Sequence, residues 1–436
     1  MNSGLLLYNI LTGFAFLVGF PFLILYNLAQ GKYSNRLVER LGRYPLHLRP
    51  DFDLPNKRPL WIHGVSVGEI KAATALIQRI KEQLPDVPVL LSTTTPAGRE
   101  TAERALGKEI PIVYYPLDFY PCVKRALNFF RPRAFIALET ELWPNFLAQV
   151  HKAGCPLILV NGRISDRSFG RYRKLRWLFK PLLRRFEILL VRHIDDADHL
   201  IALGAGADRV RVLGNIKYDG LLDHAQEQVR LKIKKIIPLQ EGAPVLVAGS
   251  TRGGEEEILL SVYGILKKSL PDLRLILAPR HIQRCPEIEK LIGKAGASCQ
   301  RFSDLSKREK PEQDSVILID TIGDLFAVYS LATLVFCGAS LVPKGGQNIL
   351  EPAAWGKPVV YGPYMNDFKD ARSLLEKAGG GISVSDEKEL AERLLYFFSH
   401  PEEAEDRGEA GRQALKSQMG LTQKAAEIIS EVLSKH

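Results

Sequence analysis

Short apolar runs separated by stretches of helical periodicity constrain the fold of this chain more than any other feature. The run Leu60–His63 ends in small residues, and from Glu69 onward apolar residues recur at helical spacing. Strands separated by helix-length segments pair in parallel through right-handed crossovers. The sequence therefore predicts an α/β fold built from doubly wound parallel sheets.

The alternation occurs twice, which predicts two Rossmann-like domains in a chain of 436 residues. The first set of predicted strands is Leu60–His63, Val87–Ser92, Ile112–Tyr115, Ala134–Leu138, Leu157–Val160, Ile188–Val191 and Val210–Leu213. The second set is Val245–Gly249, Leu273–Ala278, Val316–Ile319, Leu334–Cys337 and Pro358–Tyr361. Two such domains would face each other across a cleft, with ligands at the carboxyl ends of both sets of strands.

The predicted domain boundaries follow from where the pattern changes. We expect a membrane anchor over 1–31, a polar connector up to residue 57 and a first domain over 32–214. The second domain is predicted over 215–436. It begins with a polar linker over 215–243 and ends in a helical tail with breaks near Pro401 and Gly420.

The N-terminus is apolar enough to predict membrane association. No charged residue occurs between Asn2 and Gly31, and the apolar run Leu5–Leu28 exceeds the roughly 20 residues that cross a bilayer. The basic residues Arg36, Arg40 and Arg43 follow it, which places the rest of the chain in the cytoplasm by the positive-inside rule. A helix that lies in the membrane surface without crossing remains the alternative.

The net charge of the chain indicates what kind of partner it binds, and its cysteines indicate a reducing compartment. A formal net charge of +10 favours an acidic partner such as nucleic acid, an anionic membrane surface or a phosphorylated substrate. The five cysteines contain no C-x-x-C pair, which indicates reduced thiols rather than a disulfide framework or a zinc site.

Several common enzyme signatures are missing from the sequence. No G-x-G-x-x-G opens a first helix, and no G-x-x-x-x-G-K-[ST] is present, which argues against a dinucleotide oxidoreductase and a P-loop nucleotidase. Neither H-E-x-x-H nor a D-x-D after a strand occurs. The sequence therefore calls for no cofactor and no metal.

Three carboxylates follow predicted strands of the first domain. Glu69 either complements the positive end of the helix it opens or serves as a reacting group at the carboxyl edge of the sheet. Glu139 and Glu141 follow the strand Ala134–Leu138, and Glu141 is the one better placed to cap the next helix. Glu139 is therefore the better functional candidate of the pair.

The second domain carries three polar clusters at predicted strand ends, over 248–254, 278–281 and 344–352. Small residues expose backbone N–H groups that attract phosphate, and Ser250 and Arg252 are the candidate side chains of the first cluster. Arg280 in the second cluster can make forked hydrogen bonds to phosphate. Each cluster alone also fits an ordinary turn, a surface arginine or a capped helix. Because the clusters recur at one sheet edge, a nucleotide site is favoured.

A basic segment over 163–185 holds nine Lys or Arg residues against one Asp, interleaved with aromatic and aliphatic residues. Such a segment suits an anionic membrane surface or a phosphorylated lipid, although a solvated helix face has the same pattern. No recognisable nucleic-acid-binding module accompanies it, so we predict a lipid partner and no nucleic acid.

Five motifs together resemble the 3-deoxy-D-manno-oct-2-ulosonic acid (Kdo) transferases of Gram-negative bacteria. They are HGVSVGE (63–69), ETELWPN (139–145), NGRIS (161–165), PRH (279–281) and KGGQNILEP (344–352). That family consists of inverting glycosyltransferases of the two-lobed GT-B type. The resemblance implies transfer of Kdo from CMP-Kdo to the 6′-hydroxyl of a tetraacylated, phosphorylated lipid A precursor at the cytoplasmic face of the inner membrane.

The resemblance also assigns roles to residues. Glu69 would be the general base, and Glu139 and Lys217 would support the transition state. The CMP-Kdo donor would bind the second domain through Pro279, Arg280, Ile322, Gly323, Asp324, Asn348, Ile349, Leu350 and Glu351. Where family members often have histidine in the glycine turn, this chain has Gln347, so no role that needs an imidazole is expected there.

Two other functions remain open on the sequence alone. One is a GT-B glycosyltransferase that uses a different sugar nucleotide with another membrane lipid. The other is a non-catalytic membrane protein that binds anionic lipid through the basic segment. The number of Kdo residues transferred is likewise open.

Overall fold

A computed structural model describes residues 3–29, 35–50, 58–107, 109–237, 239–240, 242–307 and 315–436. The chain divides into two compact units. Unit 1 comprises Met1–Lys217 and Gly420–His436, and unit 2 comprises Tyr218–Met419. Residues 30–34 and 51–57 of the predicted connector lie outside the described residues.

Each unit contains a parallel seven-stranded sheet, which confirms the predicted α/β class. The order is β3-β2-β1-β4-β5-β6-β7 in unit 1 and β10-β11-β9-β8-β12-β13-β14 in unit 2. The strands of unit 1 are β1 Leu60–His63, β2 Val89–Thr93, β3 Ile112–Tyr114, β4 Ala134–Leu138, β5 Leu157–Gly162, β6 Phe186–Val191 and β7 Val210–Val212. Those of unit 2 are β8 Val245–Thr251, β9 Arg274–Pro279, β10 Cys299–Arg301, β11 Val316–Leu318, β12 Leu334–Cys337, β13 Val359–Tyr361 and β14 Gly381–Ser383.

Helices connect the strands along the described part of the chain. Up to Lys217 they are α1 Ser3–Ala29, α2 Asn35–Arg40, α3 Val67–Gln83, α4 Pro96–Leu106, α5 Tyr120–Phe130, α6 Pro144–Lys152, α7 Asp166–Lys174, α8 Arg176–Leu183 and α9 Ile194–Leu203. From Tyr218 they are α10 Leu221–His224, α11 Glu227–Ile236, α12 Glu255–Lys267, α13 Cys285–Lys294, α14 Phe302–Leu305, α15 Leu325–Tyr329, α16 Leu350–Ala354, α17 Lys369–Lys377, α18 Glu387–Ser399 and α19 Pro401–Lys416. The last helix is α20 Leu421–Ser434.

The strand β1 lies inside the sheet of unit 1, paired with β2 on one side and β4 on the other. All four of its residues are buried, because helices cover both faces of a parallel sheet. Their side chains alternate between two apolar clusters, with Trp61 in one and Leu60 and Ile62 in the other. The end of this strand is consequently a fixed point from which the following loop departs.

The C-terminal tail differs from the prediction that it belongs entirely to the second domain. Helix α20 is part of unit 1, where Ala425, Ile429 and Leu433 are buried in the same apolar cluster as α3. Ser430 Oγ donates to Gln83 at 2.7 Å at the end of α3. The helix leaves unit 2 because its apolar face completes the core beneath β1.

The predicted linker over 215–243 is helical, but it packs as part of a folded unit. Ile233 and Ile237, in and just after α11, are buried in the apolar core of unit 2. The edge strands β10 and β14 were not predicted. Each has only three residues, too few to establish a periodic pattern.

The N-terminal helix α1 contacts unit 1 through its first turns. Leu5 is buried in the core of this unit, the hydroxyl of Tyr8 donates to Asp118 at 2.9 Å, and the rings of Phe16 and Phe119 stack at 4.4 Å. Among the described residues, no helix has the length and apolarity needed to cross a membrane. The anchor predicted over 1–31 is therefore not confirmed.

Candidate functional site

The β1–α3 loop of unit 1 holds Glu69 by a reciprocal capping arrangement. Ser66 is the N-cap of α3, and its Oγ accepts a hydrogen bond from the backbone N–H of Glu69 at 3.2 Å. In return, the Ser66 hydroxyl donates to Glu69 Oε1 at 2.6 Å and the Val65 N–H donates to Oε2 at 2.8 Å. The sequence-based interpretation of Glu69 as a helix-start carboxylate is thus correct in its geometry.

A capping role alone does not explain the burial and the raised pKa of the Glu69 carboxyl group. Glu69 is only 7% exposed, and burial raises its pKa above the usual value, with nearby Glu139 adding to the effect. The hydrogen bonds from Ser66 and Val65 act in the opposite direction because they stabilise the charged form. A carboxylate with a raised pKa is a stronger proton acceptor than an exposed one.

Glu139 and Lys217 form an ion pair in the same unit. Glu139 follows β4 with a positive φ of 56°, a left-handed conformation that turns the chain sharply where the strand ends. The Lys217 ammonium also lies beside the β1–α3 loop, since a Cβ atom placed on Gly68 would be 3.6 Å from its Nζ. Lys217 therefore pairs with Glu139 and lies beside the start of α3, which carries Glu69.

Asn161 fixes the segment that delivers Lys217. This residue lies in β5 with a positive φ of 60°, and its Oδ1 accepts the backbone N–H of Ile216 at 3.1 Å. The hydroxyl of Thr140 bonds the carbonyl of Arg163, joining the loops after β4 and β5. The motif NGRIS thus contributes scaffolding for the ion pair.

Glu141 belongs to a second network at this edge. Its Oε2 accepts the indole N–H of Trp143 at 2.7 Å and lies 3.6 Å from Nε2 of His63. His63 is completely buried, its Nδ1 is 2.9 Å from Ser92 Oγ, and its ring stacks on Tyr115 at 3.8 Å. Glu141 thus lies between the exposed Trp143 at the sheet edge and the buried His63 inside the sheet.

Asp118 caps the helix that follows these carboxylates, a role that the sequence did not reveal. Its two oxygens accept the backbone N–H groups of Asn145 at 3.0 Å and Phe146 at 2.8 Å, in the first turn of α6. Burial raises the pKa of Asp118 to about 6. The signal is absent from the sequence because Asp118 lies in a distant loop.

In unit 2, the predicted donor-binding residues follow neighbouring strands. Pro279 is the buried last residue of β9, and the exposed Arg280 donates its N–H to Thr251 O at 3.0 Å. The guanidinium of Arg252, after β8, contacts the ring of His281. The first two polar clusters therefore meet in space.

The other predicted residues of unit 2 lie at the same edge. Gly323 has a positive φ of 105° and lies beside the highly exposed Ile322, while Asp324 precedes α15 and accepts the hydroxyl of Thr321 at 2.5 Å. The carbonyl of Phe326 in α15 accepts the indole N–H of Trp355 at 2.7 Å, just after α16. This bond ties the helix after β11 to the helix after β12.

The glycine turn after β12 packs closely against the segment that follows β13. Gly345 and Gly346 have φ values of 88° and 80°, and a Cβ on either would collide with Asp367 or Met365. Asn348 contributes Oδ1 to the Leu350 N–H at 3.2 Å and Nδ2 to Glu351 Oε1 at 3.3 Å. Ile349 and Leu350 are fully buried in the apolar core of unit 2.

Glu255, the first residue of α12, has a structural role that the sequence does not reveal. This fully buried carboxylate accepts four backbone N–H groups, those of Arg252, Ala339, Ser340 and Leu341, at 2.6 to 3.0 Å. It thereby fixes the loop after β12 against the loop after β8. Across the described residues, no group of three or more His, Cys, Asp or Glu side chains is arranged to hold a metal ion.

Comparison with known protein families adds a second line of evidence. A profile described as 3-deoxy-D-manno-octulosonic-acid transferase (kdotransferase) matches residues 35–220. A 3-deoxy-D-manno-octulosonic acid transferase of Haemophilus influenzae is 31% identical over 418 residues, which cover 95% of this chain and 95% of that protein. The enzyme of the same name from Bordetella pertussis is 32% identical over 387 residues, covering 87% and 88% of the two chains.

Solved structures support the architecture. HepE from Anabaena in complex with UDP matches with a TM-score of 0.61 at 16% identity, covering 85% of this chain and all of that one. A glycosyltransferase from Rickettsia africae gives a TM-score of 0.60 at 14% identity, covering 87% and 99% of the two chains. At these identities the likeness shows a GT-B-like fold and nothing more.

Proposed function

This chain belongs to the Kdo transferase family, and from this premise we propose that it transfers Kdo from CMP-Kdo to the 6′-hydroxyl of a tetraacylated, phosphorylated lipid A precursor, releasing CMP. The reaction inverts the configuration at the anomeric carbon. Unit 1 binds the acceptor, and unit 2 binds the donor. More than one Kdo can be transferred in succession if the product fits the acceptor site.

The observation that carries the proposal is the placement of Glu69. Its buried carboxylate lies at the carboxyl edge of the unit 1 sheet, where open α/β sheets bind ligands. Among the described residues, Oε2 accepts one hydrogen bond, from Val65, and so retains a lone pair for an incoming hydroxyl. Inversion requires one such base to take the acceptor proton as the new bond forms.

The Glu139–Lys217 pair supports the second requirement of the reaction. The donor sugar carries its own carboxylate, and the departing CMP is an anion, so positive charge must be held near the reacting centre. Lys217 supplies that charge beside Gly68, and Glu139 fixes the direction of its ammonium. We assign Lys217 to the transition state and Glu139 to its orientation.

Donor binding is assigned to the strand ends of unit 2. Arg280 can contact the phosphate of CMP, and the family resemblance assigns Asn348, Ile349 and Leu350 to the same donor site. Glu351 and the turn Ile322–Asp324 are assigned to the nucleoside. The ribose diol is a suitable donor to the Glu351 carboxylate.

We further propose that the protein acts at the cytoplasmic face of the bacterial inner membrane. The described part of α1 exposes apolar side chains while its opposite side packs on unit 1, and the basic segment over 163–185 suits the phosphates of the acceptor. The exposed positions include Leu6, Leu7, Ile10, Leu11, Phe14 and Leu17. Flotation of the full chain with anionic vesicles would test this placement.

The direct test of activity is incubation of the purified chain with CMP-Kdo and the tetraacylated precursor, followed by mass spectrometry of the lipid. Each transferred Kdo adds a fixed mass, so the spectrum also counts the sugars. Release of CMP without a mass shift, or turnover only with a UDP-sugar, would contradict the proposal. A parallel incubation with UDP-sugars therefore belongs in the same experiment.

A further inference from the structure

Trp143 is an exposed aromatic side chain at the carboxyl edge of the unit 1 sheet. It is 36% exposed, whereas Trp61 in the adjacent strand is completely buried. Trp143 follows β4 and Glu69 follows β1, and these strands are direct neighbours in the sheet. The indole is therefore presented at the same edge as the proposed base.

The indole is fixed by its polar edge. Its N–H donates to Glu141 Oε2 at 2.7 Å, and Glu141 is held in turn near the buried His63. The ring of Tyr115, stacked on His63, lies 6.2 Å from the ring of Trp143 at an interplanar angle of 41°. Trp143 consequently has a defined orientation at the surface.

The backbone of Trp143 is fixed as well. It is the N-cap residue of α6, and Pro144 restricts the first helical position. Asp118 binds the next two backbone N–H groups, so the start of this helix cannot fray easily. A ligand that meets this side chain would lose little free energy in ordering it.

These contacts leave only the aromatic face of the Trp143 indole available to a ligand. The only hydrogen-bond donor of the indole is already used, so what remains exposed is its π system. The face of an aromatic ring has a partial negative charge and attracts the positively polarised C–H bonds of a sugar ring. A phosphate, in contrast, would be repelled by this face and by the neighbouring Glu141.

We infer that Trp143 is a stacking platform for the sugar ring that carries the acceptor hydroxyl. The inference rests on the proposed function for the identity of the sugar. Stacking would hold the ring at the edge where Glu69 accepts its proton, while Glu141 keeps the indole in place. Trp143 is thus a binding residue and takes no part in proton transfer.

The test uses the phosphorylated disaccharide head group freed of its acyl chains, so that membrane contact plays no role. Trp143→Leu keeps apolar bulk but removes the π face, and we expect the acceptor KM to rise about three- to tenfold with an unchanged donor KM. Trp143→Phe should lie between Trp143→Leu and the wild type. Tyr120→Leu is the matched control, because Tyr120 is 37% exposed at the start of the neighbouring α5.

An unchanged acceptor KM in Trp143→Leu would overturn the inference. So would an effect seen only with intact lipid in vesicles, which would assign Trp143 to membrane contact instead. Equal increases in the KM of donor and acceptor would indicate a general distortion of the site and would overturn it as well.

A second measurement does not depend on turnover. Titration of the wild type with the head group, without CMP-Kdo, should change the tryptophan fluorescence, and Trp143→Phe should abolish that change. No change in the wild type would overturn the inference even if the Leu variant fails to fold. Failure of the wild type to use CMP-Kdo would defeat the proposed function but leave this titration informative.

Discussion

Glu69 and Glu255 occupy equivalent places in the two units and have different environments. Each follows the first strand of its unit and lies in the first turn of the next helix, and each is buried. Burial raises the pKa of both carboxyl groups. Residue type, topology and burial therefore do not distinguish them.

The difference lies in how many lone pairs are already used. Each oxygen of Glu255 accepts two backbone N–H groups, so this carboxylate has no free lone pair for a further hydrogen bond. It serves to hold two loops together. Glu69 Oε2 accepts one hydrogen bond from the described residues and is surrounded by other carboxylates. A carboxylate with remaining capacity can accept a proton from a substrate, whereas a saturated one stabilises the fold.

The substitution Glu69→Gln is expected to have the largest effect on the rate of Kdo transfer. An amide cannot accept the acceptor proton, so we expect transfer of Kdo to fall about 10²–10⁴-fold. The thermal midpoint should change little, because the amide oxygen can still accept a capping hydrogen bond. CMP release measures the rate, and Glu82→Gln, at an exposed position of the same helix, is the control. Near-normal turnover would remove Glu69 from the mechanism.

Glu255→Gln should show the opposite pattern. The amide NH₂ would face backbone N–H groups, leaving buried donors unsatisfied, and we expect the free energy of unfolding to fall by about 3 kcal/mol. Urea denaturation measures this loss. Glu257→Gln, on the exposed side of the same helix, should be nearly neutral. A comparison in which Glu255→Gln loses turnover without losing stability would contradict the distinction drawn above.

Lys217→Met should reduce transfer about 10²-fold, the size expected for loss of one group that stabilises transition-state charge. The unfolding free energy should change by less than about 1 kcal/mol, because the ion pair with Glu139 is partly exposed. Lys217→Arg keeps the charge and should recover part of the rate. If Lys217→Met and Lys217→Arg lose equal activity, the positive charge of Lys217 does not contribute to the rate.

The smallest effect concerns pH. Glu69 must be ionised to act as a base, so the rate should fall as the pH drops through its raised pKa. Ser66→Ala removes a hydrogen bond that stabilises the charged form, and should therefore move this acidic limb to higher pH. Rate profiles of both proteins test the direction. A shift to lower pH would mean that another group controls the limb.

The elements near the site could be predicted because their signals are local. The strand β1 has the predicted bounds Leu60–His63, and Glu69 lies in the first turn of the helix that the apolar spacing predicts after it. The pairing of Glu139 with Lys217 joins loops 78 residues apart. Only the family resemblance indicated that both residues belong to one site.

What could not be predicted depends on contacts that are distant in sequence. Three of the four donors that saturate Glu255 come from a loop 84 to 86 residues away, so its helix-start pattern in the sequence is the same as that of a reacting carboxylate. The apolar face of α20 indicates that it is buried, but not against which sheet. Its partner Gln83 is 347 residues upstream.

The return of α20 to unit 1 has a consequence for the order in which the protein is made. Unit 2 is an insertion between two parts of unit 1, so all of its residues are synthesised before the segment Gly420–His436 that returns to unit 1. Helix α3, which carries Glu69, receives α20 as a packing partner only after the whole of unit 2 has been synthesised. Unit 1 therefore cannot complete its core before unit 2 has been made, and a chain truncated before α20 keeps Glu69 but lacks part of the core beneath it.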